Sequence, residues 1–292
     1  MHLNKRIKKV FQSTKMRALH YRQIYRFERS PLRKKEPLLV YQMGKVGSST
    51  IRRSIAALNL DIYAYHLHYM SGIDYMMNLC RKQSLPLQDH ILASIFCKRM
   101  LKRARANGTK LNVISLVRDP ISKNISQFFQ NIEVSYPEFG YPEKVKTLSQ
   151  EELIAEVIDF FIKNFIHDDP LVWFDVELKQ FTNIDVFEET FPHEKGYKIY
   201  ENELFRILLI RLENLNSCTS EAMDSFLGFK NFTLQSENVS NEKDYAELYQ
   251  KVKRKIRLPD TYIDKMYSSK MARHFYTASE IEGFKKKWRR AN

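Results

Sequence analysis

Apolar residues in this chain fall into two alternating patterns, short continuous runs and helically spaced positions. The run Leu38-Leu39-Val40 opens a strand over Leu38–Gln42, and Ile51, Ile55 and Leu58 follow at helical spacing. Ile62, Ala64, His66 and His68 recur at period two, which predicts a second strand with these residues on one face. A helical region runs from Leu87 to Arg105 and stops at Asn107-Gly108. Leu111–Val117 is almost entirely apolar, as suits a strand buried on both faces, and Arg118-Asp119-Pro120 ends it ahead of a helix over Ile121–Asn131. Pro137, Gly140 and Pro142 mark a loop. Ser149 and Glu152 form a capping box for a helix reaching Phe165. Beyond an aromatic segment at Trp173-Phe174, Gly196–Tyr200 and Phe205–Leu212 predict two more strands, and residues 219–228 a helix stopping at Gly228. The tail from Asn241 is helical and basic, broken at Pro259. Strand–helix alternation of this kind predicts an α/β fold with a central, mainly parallel sheet flanked by helices and a helical C-terminal extension.

Composition adds the scale and the sign of the charge. With 292 residues, 43% of them hydrophobic, the chain can bury a large core, and we expect one α/β domain over 37–292. Residues 1–36 form a basic arm in which Val10, Phe11, Leu19, Ile24 and Phe27 are scattered among charges. We expect it to be solvated, with anchoring to a membrane or a glycan-assembly partner as the alternative. The net charge of +14 favours anionic partners such as nucleotides, nucleic acid, acidic glycans or lipid headgroups. No nucleic-acid-binding signature accompanies it. Cys80, Cys97 and Cys218 are odd in number and far apart, without metal-site spacing or a disulfide framework, and point to a reducing, cytoplasmic setting. No apolar window is long enough for a transmembrane helix, and the N-terminus lacks an apolar signal core.

The candidate chemistry begins in Tyr41-Gln42-Met43-Gly44-Lys45-Val46-Gly47-Ser48-Ser49-Thr50. A loop with two glycines, a lysine and three hydroxyls joins a strand to the first turn of a helix. That turn exposes unpaired N–H groups and the positive end of the helix dipole. Glycines admit an anion close to the backbone, and Lys45 adds a full charge, so the loop reads as a phosphate or sulfate cradle. It differs from GxxxxGK[ST], since Lys45 follows the first glycine and not the second. The plainer reading is a turn with Ser48 as N-cap. Arg118, at the carboxyl end of the third strand, has Ser122 and Ser126 four and eight residues later on the next helix. Ligands of open parallel sheets bind beyond the carboxyl ends of strands, so Arg118 and the cradle are expected to share one crevice. A guanidinium fork suits a phosphate; the competing role is a surface ion pair with Asp119.

On these residues the chain resembles the sulfotransferases that use 3′-phosphoadenosine-5′-phosphosulfate (PAPS). Lys45-Val46-Gly47-Ser48-Ser49-Thr50 is similar to the family segment holding the donor's 5′-phosphosulfate, and Arg118 with Ser126 to the pair holding its 3′-phosphate. Leu208–Leu215 and Phe226-Leu227-Gly228 look like the family's later strand, turn and helix end. Within that superfamily the likeness is nearest to bacterial capsular polysaccharide synthesis proteins, through Gln42–Ser49, Trp173-Phe174-Asp175, Gly196-Tyr197 and His274–Thr277. The resemblance implies a P-loop-like three-layer fold, PAPS as co-substrate without a metal, donor binding by Gly44 to Thr50, Arg118 and Ser126, and transfer to a carbohydrate hydroxyl. The family's C-terminal Lys-Gly-x-x-Gly-Asp segment has no counterpart here. The basic run Lys251, Lys253, Arg254, Lys255 and Arg257 is the candidate substitute, or a solvated helix face. Transfer needs a proton acceptor, and His66 or His68, beside the cradle, is the expected base, with Lys45 as charge stabiliser. His274 is read as packing, His167 and His193 stay unplaced, and Asp168, Asp169 and Asp175 either hold a sugar or cap helices. Two other functions compete. One is a nucleotide-dependent kinase, which the shifted lysine disfavours. The other is a non-enzymatic module for acidic glycans or nucleic acid.

Overall fold

The computed structural model describes residues 2–235 and 245–289, with backbone alone described for residues 2–13 and 33. Its first half runs α1 (His2–Glu28), β1 (Glu36–Tyr41), α2 (Ser48–Ala57), β2 (Ile62–Leu67), α3 (Ile73–Lys82), α4 (Asp89–Asn107), β3 (Leu111–Val117) and α5 (Pro120–Ser135). Then come α6 (Tyr141–Thr147), α7 (Gln150–Asn164) and α8 (Asp169–Trp173), a π-helix (Phe174–Lys179) and α9 (Gln180–Thr182). The chain closes through β4 (Tyr197–Glu201), β5 (Phe205–Arg211), α10 (Leu215–Leu227), α11 (Ala246–Lys255), α12 (Asp260–Tyr267), α13 (Lys270–Phe275) and α14 (Ala278–Arg289). The expected start of the tail at Asn241 lies outside the described residues.

The five strands form one sheet in the order β2-β1-β3-β5-β4, parallel except for β4 at the edge, which runs antiparallel to β5. This is the mainly parallel α/β sheet that the alternation predicts. β3 and β5, the two longest apolar runs, sit inside it, each buried along nearly its whole length. Burial on both faces is what a strand with apolar residues on both faces requires. From β1 the chain crosses to β2 on one side and, through α3 and α4, to β3 on the other. The order therefore reverses between β1 and β3, and the crevice at such a reversal opens at the carboxyl ends of those two strands. The loops leaving them are 42–47 and Arg118-Asp119.

Two apolar clusters flank this frame. One joins the sheet to its covering helices. The other lies under α5, α7, α11, α12 and α14, around Phe128, Phe129, Phe161, Tyr267 and Trp288. The C-terminal helices are thus packed onto α5, whose first turn follows Arg118. The N-terminal arm is also more ordered than its charge implies. α1 is a single helix whose second half packs on α3, α4 and the turn between them. His20 is 3% exposed and its Nε2–H donates to the Leu85 carbonyl at 2.9 Å. The Gln23 amide bonds both backbone groups of Leu87, at 3.1 and 3.0 Å. The expected solvated arm is therefore corrected over this half: Ile24 and Phe27 face an apolar partner that the leader's own sequence does not contain. α3, unassigned from sequence, is that partner's other wall.

Candidate active site

The cradle forms as strand, loop and helix. Lys45 holds a left-handed conformation (φ +68°), and so does Gly47 (φ +102°). A non-glycine residue in that region is strained, and alternating backbone signs turn successive N–H groups toward one side. Gly47, not Ser48, is the N-cap of α2. It supplies no side-chain cap, so the helix leaves the first N–H groups, at Ser48, Ser49 and Thr50, without an intrahelical partner. A Cβ at Gly44 would meet nothing within 4 Å, so the loop is open there. Gln42, fully buried where β1 passes into the loop, has no hydrogen-bond partner for either side-chain amide atom.

The Arg118 guanidinium reaches this loop directly. Its Nη1 donates to the Lys45 carbonyl at 2.9 Å, across 73 residues of sequence. Asp119 takes other partners. It caps α5 by accepting from the Ser122 N–H at 3.0 Å, and accepts from the Tyr267 hydroxyl at 2.6 Å, which in turn accepts from Trp288 Nε1 at 2.8 Å. The Asp119 N–H donates to Glu213 at 2.8 Å, and Glu213 also accepts from the Tyr276 hydroxyl at 3.0 Å. Ser126 is half-buried on the next turn of α5.

Two lysines of the C-terminal helices join Arg118. The Lys253 ammonium on α11 has its pKa lowered first by burial and then by the Arg118 charge, with Asp119 opposing. Lys287 on α14 is lowered likewise by burial and by both Lys253 and Arg118. Its Nζ lies 3.4 Å from Ser122 Oγ and over the Trp288 ring. Three cations thus repel one another around one buried carboxylate, an arrangement that an added anion relieves. Of the basic run expected here, only Lys253 turns to Arg118. Lys251 pairs with Glu247, Lys255 with Glu151, and Arg254 and Arg257 donate to backbone carbonyls. Lys287 has no sequence signal that sets it apart from its basic neighbours.

At the end of β2, His66 and His68 stand 4.3 Å apart between ring centroids, and His90 from α4 lies 5.1 Å from His68. His68 Nδ1–H donates to the Gln42 carbonyl at 2.7 Å, which fixes the tautomer and leaves Nε2 as the basic nitrogen. Burial lowers its pKa, with the Asp169 charge acting the other way. His66 is pushed down to about 2 by burial and by its neighbours His68, Arg52 and His90, and its Nε2 has no partner. The loop after His68 is held by Glu177 in the π-helix. This buried carboxylate accepts from the Met70, Ser71 and Gly72 N–H groups at 2.8–3.0 Å and from the Tyr41 hydroxyl at 2.7 Å. Fully buried Lys123 pairs with Asp169 close enough for both charges to act on His68. Lys123 stands opposite Ile121 and Ile125 on α5, where the sequence reads as a surface charge, and nothing in the sequence marks it as buried. Among the described residues no group of three His, Cys, Asp or Glu is arranged to hold a metal ion.

The remaining candidates are structural. His167 is bonded at both nitrogens, to the Tyr262 hydroxyl and the Phe161 carbonyl. His193 donates to the His274 carbonyl, and the His274 ring packs on Phe187 and Phe275. Asp168 and Asp175 pair with Lys265 and Lys270, and Asp168 makes no capping bond. The helix-capping expectation for them is thus replaced by ion pairs, which cross-link α8 and the π-helix to α12 and α13.

No helix among the described residues is long and apolar enough to cross a membrane. No curated protein and no solved structure matches the chain. A family model described as "Putative capsular polysaccharide synthesis protein" matches residues 145–277, a segment that contains Asp169, Glu177, Glu213 and Lys253 and leaves out the 44–50 loop, Arg118 and Lys287.

Proposed function

We propose that this chain is a PAPS-dependent sulfotransferase that modifies a carbohydrate hydroxyl. The observation that carries the reading is the 2.9 Å bond from Arg118 to the Lys45 carbonyl, which joins the two anion-binding segments at the sheet's point of reversal. A donor with an anionic group at each end suits such a pair, as it suits a P-loop-like cradle. The uncapped start of α2 and Lys45 would take the 5′-phosphosulfate. Arg118, Ser126 and the Lys253–Lys287 pair would take the 3′-phosphate, the two lysines standing in for the family segment this chain lacks. The match to a capsular polysaccharide synthesis model supports a polysaccharide as acceptor.

In this reaction the acceptor oxygen attacks sulfur in line with the bond to the bridging phosphate oxygen. The S–O bond to the acceptor forms as that bridging bond breaks, and its electrons leave on adenosine 3′,5′-bisphosphate. Lys45 and the cradle N–H groups stabilise the charge that develops there. We assign the base to His68, whose Nδ1–H is held by the Gln42 carbonyl and whose Nε2 can accept the acceptor's proton. His66, driven far down by burial, is the poorer acceptor. The test is transfer of labelled sulfuryl from PAPS to polysaccharide. Lys45→Ala and Arg118→Ala should each lower kcat/KM by about 10²-fold or more, and His68→Ala should lower kcat. Undiminished transfer by both the Lys45 and Arg118 variants refutes the assignment.

A further inference from the structure

Away from this crevice, α1 and α3 enclose a cavity of about 190 Å³ lined by Arg17, His20, Tyr21, Ile24, Met77 and Arg81. Its chemistry is divided. Ile24 and Met77 give an apolar wall, and two arginines and an imidazole give a polar one. His20 uses Nε2–H on the Leu85 carbonyl, which leaves its buried Nδ1 without a partner. Arg81 donates through Nη1 to Asn78, while its buried Nε has none. The unpaired, buried Nε–H of Arg81, in a wall that also bears the Arg17 guanidinium, calls for a small oxyanion, while the lone pair of His20 Nδ1 can only accept, as from a hydroxyl beside that anion.

The surroundings choose the carrier of that anion. Over His2–Glu28 the sequence holds eight Lys and Arg against one acidic residue, Glu28. On the described part of α1, Tyr21 is 73% and Tyr25 56% exposed and Leu19 also reaches solvent, as does Leu32 in the 3-10 turn Pro31–Lys34 that follows. Tyr21 stands at the rim of the cavity itself. In sequence, Leu3, Ile7 and Val10-Phe11, and then Ala18, Tyr21 and Tyr25, recur at three- and four-residue intervals, with a gap of seven between Phe11 and Ala18. Exposed aromatic rings next to arginines suit the headgroup level of a bilayer, where a ring needs one wet and one apolar side. A nucleic-acid phosphate would leave the apolar wall without a partner. We infer that the α1–α3 cavity takes the phosphate of an anionic phospholipid and that α1 lies against the lipid surface. This does not depend on the reaction at the crevice.

The experiment uses the full chain and vesicles of phosphatidylcholine, with or without roughly one third phosphatidylglycerol. Cosedimentation should require the anionic lipid. Arg17→Ala combined with Arg81→Ala should weaken it roughly tenfold or more, at about fivefold per arginine. Because Arg81 is half-buried, a surface variant accompanies it. Tyr21→Trp replaces an exposed ring, and the two native tryptophans are buried, so its emission should shift to the blue when anionic vesicles are added. Equal binding to neutral vesicles, unchanged binding by the double variant, or no spectral shift overturns the inference. So does saturable binding of inorganic phosphate or duplex DNA by a chain that ignores the vesicles.

Discussion

Gly44 and Gly47 lie three residues apart in one loop, and the structure gives them opposite sensitivities. Gly47 has φ +102° and ψ 17°, and an added Cβ would fall 2.7 Å from Leu212 Cδ1 and 3.6 Å from Leu116 Cδ2. The end of the Leu212 side chain can move, so the backbone decides most of the cost. Holding an L-residue there costs about 1–3 kcal/mol, and displacing Leu212 adds about 1 kcal/mol. Alanine also stiffens the unfolded chain, which offsets about 0.4–1 kcal/mol. Gly47→Ala should therefore lose about 2 kcal/mol. Gly44 has no left-handed φ, and its Cβ would meet nothing within 4 Å. Gly44→Ala should keep the parent's stability, or gain up to about 1 kcal/mol. Its methyl group would instead enter the open side of the loop, where the reaction scheme puts the donor's phosphosulfate, and should weaken nucleotide binding. Urea unfolding followed by circular dichroism, with calorimetric titration of adenosine 3′,5′-bisphosphate, reads both quantities. A Gly47→Ala protein as stable as the parent, or a Gly44→Ala protein that loses stability but keeps its affinity, refutes this account of the loop.

Three further outcomes follow from the same region. Glu177→Ala should cost about 3–5 kcal/mol in urea unfolding, because it strands three backbone N–H groups and the Tyr41 hydroxyl in a buried place; a loss below about 1 kcal/mol would show that the carboxylate does not hold the loop. His66 and His90 are kept neutral by burial and titrate near 6.5 once unfolded, so between the folded and unfolded values only the unfolded chain binds their protons. Stability should fall as the pH drops below 6.5, by about 1 kcal/mol per pH unit for each ring, and His66→Gln should flatten that slope; an unchanged slope contradicts the burial argument. Lys253→Ala should weaken adenosine 3′,5′-bisphosphate about tenfold, while Lys251→Ala, which removes a lysine paired with Glu247, should leave binding unchanged; equal losses would place the phosphate elsewhere.

What the sequence makes legible here follows from range. The sheet can be read because β3 and β5 are largely apolar runs, broken only by Asn112, Ser115 and Arg206 before Arg211 ends β5, and because the capping box at Ser149 is a local signal. The meeting of Arg118 with the cradle can be expected because topology alone directs the loops after β1 and β3 into one crevice. The partners drawn from distant sequence are silent. Lys287 reaches Ser122 across 165 positions, and Glu177 grips a loop more than 100 residues earlier. Neither residue differs in type or spacing from a surface charge until the C-terminal helices and the π-helix are folded over the sheet. The same holds for α1: its charges suggest a solvated arm, and only α3 reveals that His20 and Gln23 are an inward face.

If two separated segments hold opposite ends of one nucleotide, removing one end of the ligand should expose the contribution of each segment. Calorimetry should compare adenosine 3′,5′-bisphosphate with adenosine 5′-monophosphate, which lacks the 3′-phosphate, on the parent chain, Arg118→Ala and Lys45→Ala. The parent should prefer the bisphosphate by about 10-fold or more. Arg118→Ala should erase that preference while leaving the monophosphate's affinity intact, and Lys45→Ala should weaken both ligands together. A preference that survives the loss of Arg118, or an Arg118→Ala protein that loses both ligands equally, would contradict the account.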